Sequence, residues 1–394
     1  MDLNDYFDPV GLERPAFTLL SEEDTFSRNI VVHTPDHPIR DLDRFHLALI
    51  GIPQDDNAFI KGSRTAPDMV RTYLYQLRKP QNNIRICDLG NLKITASVND
   101  SYYALRDIYM ELRERNIIPV LIGGSQDLSL GILYALEKDP GIHQVLTVDP
   151  RLDFSAVPGE SQALHSMNYL DYIMKQGREK VFVLNNIGHQ NYFVPVSAIE
   201  YMETHFQESV RLGMARSDIR ITEPLIRDAS FVSIDMSVIR HSDAPGVALP
   251  SPNGFFGDEI CSISRYCGLS EKVSAIGFFE LCPGKDLNEQ SAHLAAQALW
   301  YFTEGFSHRI KENPVDTPGQ TRKFIVNLDA AGHDIIFIKS TISERWWMEI
   351  PVKNPATGGN FFISCSYEDY QQACNQEIPD RWWRYLHRLS PDPE

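Results

Sequence analysis

The chain has 394 residues, 43% of them hydrophobic, enough to bury one large core with additions and no disulfide staples. A formal net charge of −16 with no Lys/Arg block argues against a nucleic-acid surface. The six cysteines form no CxxC pair, the N-terminal stretch lacks a basic-then-apolar leader, and no apolar run reaches the roughly 18 residues of a membrane span; a cytoplasmic protein is expected.

Residues 1–45, containing "HTPDHP", predict an irregular arm. Short β-branched, apolar runs follow: "HLALIGIP" (46–53), "IRICDLG" (84–90), "IIPVLIGG" (117–124), "QVLTVDP" (144–150), "KVFVLNNIG" (180–188), "SFVSIDMS" (230–237) and "VSAIGFFE" (273–280). Amphipathic stretches such as "APDMVRTYLYQL", "SYYALRDIYMELRERN", "DLSLGILYALEK" and "NEQSAHLAAQALWYFTEGF" lie between them. Continuous apolar strands alternating with helices predict a mainly parallel sheet covered on both faces, a three-layer α/β/α core over residues 46–310.

From residue 311 the pattern changes. A linker, "KENPVDTPGQTRK", leads into "KFIVNL", "DIIFIKS", "WWMEIP" and "NFFISCS", with turn signals "DAAGH" and "NPATGGN", then the helical stretches "SYEDYQQACNQ" and "DRWWRYLHRL". These predict a small β-rich C-terminal extension over 311–394. Its Trp pairs, Trp346–Trp347 and Trp382–Trp383, are read as packing that docks the extension to the core. The competing role is an anchor for a protein partner or for self-association, and oligomers are expected.

In an open parallel sheet ligands bind beyond the carboxyl ends of the strands. Those ends read "GIPQDDNAFIKGSRTAP", "GGSQDLS", "DPRLD", "NNIGHQN", "SIDMSVIRHSDAPG" and "FFELCPGKD", and acids concentrate at three of them. Asp149 and Asp153 can act as turn-closing caps or as metal ligands. Gly123 and Gly124 suit a tight strand-to-helix turn, and without a following Lys they do not make a phosphate loop.

Taken in order, these stretches resemble the ureohydrolases, the arginase, agmatinase and formiminoglutamase family. The resemblance implies an arginase-like α/β/α fold and, in the family, two manganese ions held by two His and four Asp, with hydrolysis of linear amidines. Carried over position by position, Asp149, Asp153 and Asp235 fall on Asp ligand positions. Gln126 and Arg151 stand where the family has His, and Ser237 where it has Asp. A guanidinium stays charged at any working pH; at about 4 Å it would repel a divalent ion by roughly 8 kcal/mol at an effective dielectric of about 20.

The reading is therefore a formiminoglutamase-like protein that has lost the dimanganese centre and acts in binding or as a scaffold, with Arg151 expected to bridge the Asp cluster through paired N–H donors. No cofactor is expected, and manganese only where a residual site of Asp149, Asp153 and Asp235 works. The alternative is an active C–N hydrolase with a single-metal or rearranged site. For that role His165, Asp127 and Glu280 are the catalytic candidates, and His189 can line the same crevice. A small amidine or amino acid is the ligand class that the resemblance implies.

Overall fold

The computed structural model describes all residues except 1–2, 12–19, 81–82, 156–162, 174–177, 179–180, 315–316, 329–332, 354–359 and 391–394. Most of the two turn signals in the extension fall outside the described residues. The first sheet comprises β1 (Phe7–Asp8), β2 (Ile30–Val32), β3 (Leu47–Gly51), β4 (Ile86–Leu92), β5 (Ile118–Ile122), β6 (His143–Val148), β7 (Phe182–Ile187), β8 (Glu208–Val210), β9 (Phe231–Asp235) and β10 (Ala275–Phe279). Its order is β1-β4-β3-β5-β10-β9-β6-β7-β8, with β2 also beside β4. Every pairing is parallel except β1 with β4.

The central strands are buried on both faces, which is why they read as unbroken apolar runs. Alternate residues serve opposite layers. Leu47, Leu49, Val120, Ile122, Val148 and Ile234 pack with helices Ala66–Leu74, Gly257–Leu269 and Gln290–Ser307. Ala48, Ile50, Leu121, Val145 and Phe231 pack with helices Val98–Glu114, Ser129–Leu136 and Val196–Thr204. Each fully buried aliphatic side chain contributes about 1.5–3 kcal/mol, so these two layers dominate stability.

The N-terminal arm departs from the irregular segment expected of it. It supplies β1, β2 and a one-turn helix, Phe26–Asn29, and extends the sheet beyond β4. Strands of two or three residues carry too little alternation to be read locally; pairing with β4 makes them.

The extension forms a second, antiparallel sheet of β11 (Thr321–Leu328), β12 (His333–Ser340), β13 (Trp346–Lys353) and β14 (Asn360–Cys365), in that order, followed by helices Tyr367–Cys374 and Asp380–Leu389. It packs on helix Glu223–Asp228 and the β7–β8 margin of the first sheet. The fully buried Asp228 carboxylate accepts from Ser364 N and Oγ, both at 2.8 Å, from Lys272 Nζ at 2.7 Å and from Arg381 Nη2 at 3.1 Å. Arg227 donates to the carbonyls of Trp346 and Cys365 at 3.0 and 3.1 Å. Trp346, Trp347 and Trp382 are buried in or under this sheet, while Trp383 is 39% exposed against His387 and Phe206.

Candidate functional site

The chain passes from β5 to β6 and only later fills the gap between them with β10 and β9. Four neighbouring parallel strands therefore end in one row at the change of winding direction, where open α/β sheets bind ligands. Beyond β5 come Gln126 and Asp127; beyond β10, Glu280; at the end of β9, Asp235 and then Ser237; beyond β6, Asp149, Arg151 and Asp153. The register that pairs Val148 with Ile234 sets Asp149 beside Asp235.

Local backbone chemistry fixes each side chain. Gly123 and Gly124 take φ of +83° and +74°, and a Cβ on either would lie 2.6 Å from Pro67 or 2.4 Å from Leu128, so the tight exit from β5 requires glycine. Glu280 adopts φ +64° without being glycine, a strained conformation of the kind found at functional sites. Its Oε1 accepts from Gln126 N at 2.8 Å and ties the ends of β10 and β5 together. Asp149 Oδ1 accepts from Arg151 N at 2.7 Å, and Asp235 Oδ1 from Ser237 N at 2.6 Å.

The acids are crowded in a dry place. Asp149, Asp153 and Glu280 are at most 4% exposed and Asp235 is 7% exposed. Burial, then the Asp235 charge, pushes Asp149 up to about 7, and burial with the Asp149 charge raises Asp153 well above the carboxylate range. Asp149 and Asp153 therefore act on each other, and burial favours the neutral form of both. Burial likewise raises Asp235 and Glu280.

Arg151 does not bridge this cluster in the way the sequence suggests. No ion pair within 4.0 Å joins its guanidinium to Asp149, Asp153 or Asp235 among the described residues; the guanidinium lies over the Phe193 ring, 4.6 Å from the centroid, and Nη1 is buried without a hydrogen bond. Its attraction still lowers Asp149 and Asp235 against the effect of burial. The Phe193 ring face, not the acid cluster, holds the Arg151 cation.

Gln126 Nε2 donates to Ser233 Oγ at 3.1 Å, and Ser237 Oγ accepts from Leu249 N at 3.3 Å. Asp127 is fully buried and raised by burial; one of its oxygens accepts the Tyr102 hydroxyl, and the His165 charge acts on it in the opposite direction. His165 is half-buried against Phe59, centroids 5.6 Å apart, with Nδ1 accepting from Met167 N at 3.1 Å. His189 belongs to a neighbouring cavity of about 680 Å³ lined also by Tyr192, Arg211 and Met214; burial, then Arg211, lowers it to about 4. Nothing periodic in "HQNYF" marks Phe193 as the partner of Arg151. The contact exists because the loop after β7 folds back beside β6.

A doubly covered parallel sheet with a row of carboxyl groups at its switch point defines an α/β fold whose candidate site lies at the strand ends. The Arginase family matches residues 45–304, and the chain belongs to that family. It is 22% identical over 275 residues to the formimidoylglutamase of Bacillus subtilis, covering 66% of this chain and 86% of that one. Against the mitochondrial guanidino acid hydrolase of Mus musculus it is 23% identical over 273 residues, covering 64% and 75%. Among solved structures, Trypanosoma cruzi formiminoglutamase with manganese superposes at a TM-score of 0.63, with 21% identity, 69% of this chain and 97% of that one. The B. subtilis formimidoylglutamase structure gives 0.65, with 18% identity, 76% and 97%.

Proposed function

We propose that this chain is a formiminoglutamase-like member of the arginase family that no longer assembles a dimanganese centre and works as a binding or scaffold protein in the cytoplasm, its crevice taking a small amidine or amino acid. The observation that carries the reading is the donor set at the strand ends. Two dications need several anionic or imidazole donors. Gln126 supplies a neutral amide, Ser237 a hydroxyl already engaged by Leu249 N, and Arg151 a permanent cation. Asp149 and Asp235 each commit one oxygen to a backbone N–H. Such a set does not fit two manganese ions.

The test is metal analysis of protein purified with added manganese. Less than one tightly bound equivalent per chain supports the reading, and two equivalents overturn it. The rival, an active hydrolase with a rearranged site, rests on the buried Asp127, next to Gln126, whose backbone N–H donates to Glu280, with His165 or His189 recruited. It requires metal-dependent release of formamide, urea or ammonia from formiminoglutamate, agmatine or a guanidino acid. Absence of turnover with manganese, cobalt or zinc removes it.

A further inference from the structure

The junction between the extension and the core encloses a cavity of about 870 Å³, within the size range of small-molecule sites. It is distinct from the strand-end crevice: its walls come from β8, helices Glu223–Asp228 and Gly257–Leu269 on the core side, and β13 and helix Tyr367–Cys374 on the other. Seven carboxylates line it against three basic side chains. Three rings join them. Trp346 and Tyr367 stand with centroids 5.7 Å apart, and Tyr266 lines the cavity from the core side.

Two observations say what this lining accepts. The chain's own Lys339 ammonium lies 5.5 Å from the Trp346 centroid and 3.3 Å from Glu344, so the ring face already holds a cation. Glu208, its side chain 19% exposed, meets Arg381 at 3.5 Å through Oε1, and its inner oxygen Oε2 has no hydrogen-bond donor. A buried acceptor without a donor is costly, and an N–H from a bound molecule would satisfy it. Glu368 forms no ion pair within 4.0 Å among the described residues. Aromatic faces beside carboxylates, with an acceptor awaiting a donor, suit a cation carrying N–H groups rather than an anion.

We infer that the junction cavity is a binding site for a small organic cation, a guanidinium or a primary ammonium, which enters between Trp346, Tyr367 and Glu208 and displaces Lys339 from the ring face. The site needs the extension, and its ligand bridges extension and core. It is independent of whether the crevice binds metal.

The experiment titrates the full chain with n-propylguanidinium and with n-propylammonium, propionate serving as control, and follows calorimetry and tryptophan fluorescence. Saturable one-to-one binding of n-propylammonium and none of propionate is expected; n-propylguanidinium should fill the same site and, where the crevice takes an amidine, a second one that Asp235→Asn removes. Tyr367→Ala and Glu368→Gln, both surface changes, should each weaken n-propylammonium binding about 5-fold, and Lys339→Met should tighten it by a similar factor. Asp235→Asn, in the crevice, should leave n-propylammonium binding unchanged. The proposal is overturned by absence of saturable binding, by affinities that the three junction variants do not move, or by n-propylammonium binding that Asp235→Asn abolishes, which would place the cation in the crevice instead.

Discussion

Replacing Asp228 by Ala tests whether the extension is an integral part of the fold. The carboxylate is fully buried and receives four donors, two from Ser364 at 2.8 Å, Lys272 at 2.7 Å and Arg381 at 3.1 Å. The Lys272 side chain is 34% exposed, so solvent screens that pair to about 1 kcal/mol or less. The two Ser364 bonds are worth about 1 kcal/mol each. Arg381 is 5% exposed, and without Asp228 its guanidinium keeps only the 3.5 Å contact with Glu208 and the 3.4 Å bond to the Pro224 carbonyl, so an under-compensated buried charge is the main cost. The total loss is about 3–5 kcal/mol, a large share of the 5–15 kcal/mol that typically holds a domain together. Urea unfolding followed by circular dichroism should show the midpoint falling. A pH series adds a sign. Burial alone would raise Asp228, but Lys272 and Arg381 outweigh it and its pKa lies below the ordinary value, so its contribution is present above about pH 4 and is lost as pH falls through the lower, folded value. Asp228→Asn should lose that acid limb. A destabilisation under about 1 kcal/mol for Asp228→Ala would refute the assignment of the junction as a structural seam.

The remaining expectations concern the tryptophans, His189 and the ligand positions. Trp382→Ala, removing a side chain that is 3% exposed and donates Nε1 to the Glu349 carbonyl at 3.0 Å, should cost about 3–5 kcal/mol, whereas Trp383→Ala should cost about 1 kcal/mol or less in the same unfolding assay. His189 is held below its ordinary value, at about 4, so the fold favours its neutral form and stability should decline as pH drops from about 6.5 toward 4; His189→Gln should flatten that decline in thermal melts. The triple change Gln126→His, Arg151→His, Ser237→Asp restores the family's donor types and should raise manganese content measured after dialysis from below one equivalent to two. If the triple variant folds but binds no more metal than the parent, the donor set is not the reason for the difference.

The strands and long helices of the core were legible because a doubly covered parallel sheet demands apolar residues on both faces, as in Leu47–Gly51 and Phe231–Asp235. Parts made by tertiary contact were not: β1 and β2 exist through their pairing with β4. At the site, positions were legible and conformations were not. The register placed Asp149, Asp153, Asp235, Gln126 and Glu280 in one row, and the structure brings them together. The partner of Arg151 was missed because a guanidinium can satisfy itself on an anion or on a ring, and only the return of the loop at Phe193 decides between them.

Persistence of the acids need not mean persistence of a metal. Asp149 and Asp235 each serve the backbone as well, closing the turns at Arg151 N and Ser237 N that carry β6 and β9 into their loops. Glu280 does the same between β10 and β5. Burial raises all four acids toward the neutral form, and Arg151 supplies one fixed positive charge nearby. These backbone bonds give Asp149, Asp235 and Glu280 a structural role at the strand ends whether or not a metal is held there.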